Sequence, residues 1–98
     1  MQSKESILRL LESNKPAISA FGIRSIGLFG SYVRNEQSRE SDIDILIDFH
    51  PEKENFDNLM AACDLFDKIF KGERVEVVTA GGLSPYIGPK ILKEVLYV

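Results

Sequence analysis

Asp42 and Asp44 stand one residue apart, seven residues beyond the run Gly30-Ser31-Tyr32-Val33-Arg34. Ile43, Ile45, Ile47 and Phe49 alternate with Asp42, Asp44, Leu46 and Asp48, which predicts a strand whose side chains two apart share a face. Asp42 and Asp44 then project together, with Cα atoms about 6–7 Å apart by strand rise. Carboxylates so placed repel each other unless a cation lies between them. Mg²⁺ takes oxygen ligands and keeps room in its shell for substrate phosphates. Gly30 has no side chain, so a phosphate can approach the backbone there, and Ser31 offers a hydroxyl and an N–H at the start of a helical turn. Arg34, one turn on, is placed to reach a phosphate or a carboxylate. Each part alone is ordinary: a solvated strand face, a tight turn, a surface arginine. Their joint order describes a phosphate cradle beside a paired-carboxylate cation site, which is what nucleotidyl transfer needs.

These residues need elements to hold them. Ile7, Leu8, Leu10 and Leu11 at helical spacing predict an amphipathic helix from Ser3 to Ser13. Pro16 suits the first turn of a second short helix ending at Gly22. Ile23 to Phe29 reads as the strand that delivers Gly30-Ser31, Tyr32 to Glu36 as one helical turn, and Gln37 to Ser41 as a polar loop. After the acidic strand, Phe56, Leu59, Met60, Cys63, Phe66, Ile69 and Phe70 mark one face of a helix, with Gly72 placed to cap it. Val75 to Thr79 predicts a third strand and Ala80-Gly81-Gly82 its exit loop. Ser84 to Val98 reads as a helix punctuated by Pro85 and Pro89. The order α, α, β, β, α, β, α predicts an α/β or α+β fold, a small sheet packed by helices, in one domain over residues 1–98.

Composition narrows the function. The chain has 98 residues, 44% hydrophobic and 28% charged, as in an ordinary globular domain. Its net charge of −3 argues against a protein that coats nucleic acid, because phosphate binding needs a basic surface. No apolar run is long enough to span a bilayer, and the first residues lack the apolar stretch of a signal peptide. A single cysteine, Cys63, forms no internal disulfide, so the expected compartment is the reducing cytoplasm, and on the apolar helix face it reads as a buried small hydrophobe. Asp48 lies too far along its strand to join Asp44 and is expected to be a solvated strand end. His50 has no Cys or His cluster near it, and Lys71, Arg74, Lys90 and Lys93 read as surface cations. So small a chain also makes an oligomer or a partner a fair expectation.

Leu28-Phe29-Gly30-Ser31-Tyr32-Val33-Arg34, followed by Ser41-Asp42-Ile43-Asp44-Ile45-Leu46-Ile47, resembles the signature of the minimal nucleotidyltransferases of the DNA polymerase β-like superfamily. The resemblance runs from the Ile7 helix to the tail. It implies the palm-like nucleotidyltransferase fold, with Asp42 and Asp44 holding Mg²⁺ and Gly30 and Ser31 binding the phosphates of ATP. A third carboxylate on the later strand completes the family's site and holds a second ion. That position is mostly Asp in the family and is Glu76 here, and an extra methylene moves a carboxylate by about 1.5 Å, a displacement that can cost around a hundredfold in rate. Many family members are antitoxins that adenylylate a tyrosine of a helical HEPN ribonuclease, so the resemblance implies AMP transfer to a HEPN partner. The alternative is a catalytically weak binding module that neutralises such a partner by forming a complex. Modification of a small molecule is disfavoured, because relatives that do this carry an additional helical domain.

Overall fold

The computed structural model describes residues 2–98. Helix α1 (Lys4–Ser13) begins where the side chain of Ser3 accepts the Ser6 N–H at 3.1 Å, and the Ser6 hydroxyl accepts the Ser3 N–H at 2.9 Å. This reciprocal pair satisfies two amides that the first turn leaves free. Helix α2 (Lys15–Ser19) is shorter than predicted, and Gly22 turns the chain at φ +87° into β1 (Ile23–Phe29). Strand β2 (Ile43–Phe49) runs antiparallel to β1, and β3 (Val75–Thr79) lies parallel to β2 after the crossover through α3 (Phe56–Ile69).

The predicted tail helix from Ser84 to Val98 is corrected: α4 (Gly88–Glu94) ends early, and Leu96–Tyr97 form a fourth strand, β4, antiparallel to β1. Val95 leaves the helix at ψ 137°, and the residues beyond it find the open edge of β1. Gly27 permits the approach, since a Cβ there would lie 2.6 Å from Val95 Cγ2 and 3.0 Å from the Leu96 carbonyl oxygen. The result is one mixed sheet in the order β3-β2-β1-β4. The expected small mixed sheet packed by helices is therefore present, with one strand more than the sequence announced.

Strand alternation sorts the sheet into two faces. Ile26, Leu28, Ile43, Ile45, Ile47 and Phe49 join Ile7, Leu11, Ile18, Phe66 and Phe70 in the main core. Phe29, Leu46 and Ile91 form a smaller cluster on the opposite face, with Val78, Leu83 and Val95 packed against it. The expected apolar stripe of α3 is covered only in part. Phe66 and Phe70 are buried, whereas Phe56 and Met60 at the start of the helix are exposed and Cys63 is half-buried. The covered stripe thus lies toward the C-terminal half of α3, where the sheet runs beneath it.

Candidate active site

The small-cluster face carries the acidic residues. In the sheet register Phe29 lies opposite Asp44, and Asp44 opposite Glu76, so the two carboxylates stand side by side on neighbouring parallel strands. They share a hydrogen bond. Burial above all, then that bond and the charges of Glu76 and Asp42, push the Asp44 carboxyl up to about 7, against a smaller opposing effect of Arg34. Either a proton or a cation between these like charges would relieve their repulsion. Asp42 precedes β2 by one residue, and its Oδ1 lies 3.0 Å from Arg74 Nε at the entry to β3. The approach is an ion pair without hydrogen-bond alignment, so Oδ1, shielded from solvent, receives no hydrogen bond. Arg74 also donates to the Glu40 carbonyl, tying the polar loop to the same corner. There, Arg39, Glu40, Ser41, Gly72, Glu73 and Arg74 line an open depression of about 490 Å³.

The turn after β1 is tightly placed. Gly30 has φ +85°, a conformation that favours glycine, and a Cβ on it would lie 2.0 Å from Asp44 Oδ2. The expected helical turn from Tyr32 to Glu36 is instead a run of turns, in which the Gly30 carbonyl accepts the Val33 and Arg34 N–H groups and Asn35 takes φ 58°. Tyr32 is 1% exposed, its ring in the main core, and burial raises its phenol pKa, with Glu73 adding to the effect. This ring anchors the turn in the core, and the Ser31 hydroxyl has no hydrogen-bond partner among the described residues.

Of the residues singled out by sequence, Gly30, Asp44 and Glu76 come together, and Asp42 stands beside them facing Arg74. Arg34 forms no ion pair with Asp42, Asp44 or Glu76. Its Nε pairs with Glu36 at 2.7 Å and its Nη1 with Glu94 at 2.9 Å. Asp48 lies near the strand end, partly open to solvent as expected, and accepts from Arg24 Nε at 2.9 Å across the β1–β2 pair. The contributor that sequence missed is Glu94, whose carboxylate also accepts the Gly30 N–H at 2.6 Å. No local pattern announces a contact across so many residues.

Among the described residues no three His, Cys, Asp or Glu side chains stand in the arrangement of a metal site. The donor set nevertheless suits a divalent cation. It has a crowded Asp44–Glu76 pair whose burial and like charges raise the Asp44 carboxyl, an Asp42 oxygen with no hydrogen bond, and a glycine where any side chain would strike Asp44.

The chain belongs to the nucleotidyltransferase domain family, whose sequence pattern matches residues 6–98. It is 38% identical to the protein adenylyltransferase MntA of Thermococcus cleftensis, over 100% of this chain and 98% of that protein. It is 31% identical to a protein of Methanocaldococcus jannaschii that carries the name protein adenylyltransferase, over the whole length of both. Among solved structures, a minimal nucleotidyltransferase superposes with a TM-score of 0.82 at 23% identity, covering 97% of this chain and 95% of that one. A toxin–antitoxin structure with AMP-PNP gives a TM-score of 0.64 at 23% identity, covering 98% of this chain and 72% of that chain. These two likenesses establish the fold. No helix among the described residues is long and apolar enough to cross a membrane.

Proposed function

We propose that the chain is a Mg²⁺-dependent adenylyltransferase that moves AMP from ATP to a hydroxyl, the acceptor being a tyrosine of a helical HEPN-type partner. The observation that carries this is the meeting of Asp44 and Glu76 under the Gly30–Ser31 turn, with Asp42 at its side. The kinship to proteins named as adenylyltransferases, one of them an MntA, supports the reaction class, and the likeness to a toxin–antitoxin structure supports a protein acceptor.

In this reading Asp42, Asp44 and Glu76 would hold one or two ions, and such ions would supply charge neutralisation for the triphosphate and the reacting oxygens. Ser31 binds the β and γ phosphates through its hydroxyl and N–H, and Gly30 lets them approach. The acceptor oxygen forms a bond to the α-phosphorus, the bond to the β-phosphate oxygen breaks, and pyrophosphate leaves. Glu76, exposed at the rim, takes the acceptor proton on its carboxylate. Substrate orientation supplies much of such catalysis, and the fixed turn contributes to it.

A second reading follows from Arg74 on Asp42 and from Glu where an Asp is usual: a chain that masks its partner without modifying it. Incubation with labelled ATP, Mg²⁺ and the helical partner decides between them. Label on the partner, lost by at least about a hundredfold in Asp44→Asn, is the result expected of the enzyme. A stable complex with no label in either protein would replace adenylylation by masking.

A further inference from the structure

The Glu94 side chain, only 17% exposed, fastens the turn that carries Ser31. Its Oε2 accepts the Gly30 N–H at 2.6 Å, and Arg34 Nη1 donates to Oε1 at 2.9 Å and to Oε2 at 3.1 Å. The register of β4 on β1 sets Leu28 opposite Leu96 and Gly27 opposite Tyr97, so two further steps along the ladder would set Gly30 opposite residue 94. The chain at 94 is the last residue of α4, and its carboxylate supplies the acceptor that a strand backbone would have given. The direction of the bond matters. The Ile26 carbonyl accepts the Val98 N–H across the β1–β4 edge, and the Gly30 N–H, four residues on, points to the same edge, away from β2. The carboxylate therefore buttresses the turn from behind, while the α-carbon of Gly30 rests against Asp44 in front.

We propose that Glu94 is a positioning residue of the nucleotide site. Through the Gly30 amide and the Arg34 guanidinium it fixes the Gly30–Ser31 turn against Asp44, so that Ser31 meets a phosphate at one set distance. The same ion pair keeps the guanidinium off the acidic pair, where it would compete with a cation. The role rests on the nucleotidyl-transfer reading given above.

Glu94→Gln keeps an oxygen for the Gly30 amide and loses the charge that holds Arg34, whereas Glu94→Ala loses both. Below the melting transition of every variant, kcat/KM for ATP is expected to fall at least about tenfold in Glu94→Ala, chiefly through KM, and less in Glu94→Gln. In protein free of metal and nucleotide, the Gly30 amide of Glu94→Ala should exchange its hydrogen at least about tenfold faster, with the Ile45 amide unchanged. A lowered melting temperature with an unchanged KM would overturn the role in favour of a simple strut. Tighter ATP binding in Glu94→Ala would overturn it in favour of a plug, and unchanged exchange at Gly30 would remove its basis. Should the unaltered protein neither bind nor use ATP, the transfer reading fails, and the Gly30 exchange comparison still decides whether Glu94 sets the turn.

Discussion

Burial and the neighbouring carboxylates make Asp44 hold its proton more tightly than an unfolded aspartate does. The Asp44 carboxyl is raised from 3.8 to about 7, so its contribution to stability is complete below the unfolded value and is lost as pH rises through the folded one. In the metal-free protein, the wild-type melting temperature should therefore fall relative to that of Asp44→Asn between about pH 4 and pH 8. Mg²⁺ should restore the wild type at the alkaline end and leave the variant nearly unmoved. Calorimetric scans giving parallel pH profiles for the two proteins would refute the assignment. Arg74 offers a second test at this scale. Its pair with Asp42 is exposed on both sides, and such pairs contribute about 0–1 kcal/mol. Arg74→Ala should leave the melting temperature nearly unchanged and lower the Mg²⁺ concentration for half-maximal binding several-fold, as followed by isothermal titration. Gly30→Ala is harsher, because the methyl meets an Asp44 oxygen at a positive φ of +85°. A loss of about 1–3 kcal/mol, read from denaturant unfolding, is expected together with loss of transfer.

Elements reveal what a single sequence conveys and what it conceals. Strand β2 and the approximate span of α3 could be read directly, because alternation and helical spacing are local properties and the chain on each side agrees with them. Asp44 was legible for the same reason, whereas Glu76 was expected only from the family resemblance; each lies inside a strand, and parallel pairing in register makes them neighbours. The end of the chain was not. Ile91, Leu92, Val95 and Leu96 fit a helical face, but two of those residues lie past the helix, because an open edge on β1 competes for Leu96 and Tyr97. That competition depends on Gly27, a position with no meaning until its distant neighbour is known. Gly27→Val should lift β4 off the sheet, which hydrogen exchange would detect as rapid loss at the Val98 amide, now bonded to the Ile26 carbonyl at 3.0 Å. Glu94 should lose its place with it. Protection at Val98 as strong as in the unaltered protein would contradict this account of why the tail turns extended. Glu94 escaped detection on similar grounds, since a charge near the end of a tail helix reads as solvent-facing until the register brings Gly30 to it.

The whole molecule divides its apolar content unevenly. Most of it lies on the face of the sheet that α1, α2 and α3 cover, and the small cluster of Phe29, Leu46 and Ile91 supplies the buried apolar contact between α4 and the face with the acidic residues. Truncating a buried leucine costs about 2–5 kcal/mol, so Leu46→Ala should lower the melting temperature by roughly 10 °C or more. Leu92→Ala, at a side chain 51% exposed on α4, should shift it by no more than about 2–4 °C by the same scaling. Equal shifts would mean that α4 is seated by other contacts. Tyr32 belongs to the larger face, next in the chain to the Ser31 proposed to bind phosphate. Because that ring is packed when the chain folds, the loop beside it has no search left to make when a nucleotide arrives. Catalytic competence on heating should therefore vanish together with the near-ultraviolet signal of the packed aromatics, and not at some lower temperature.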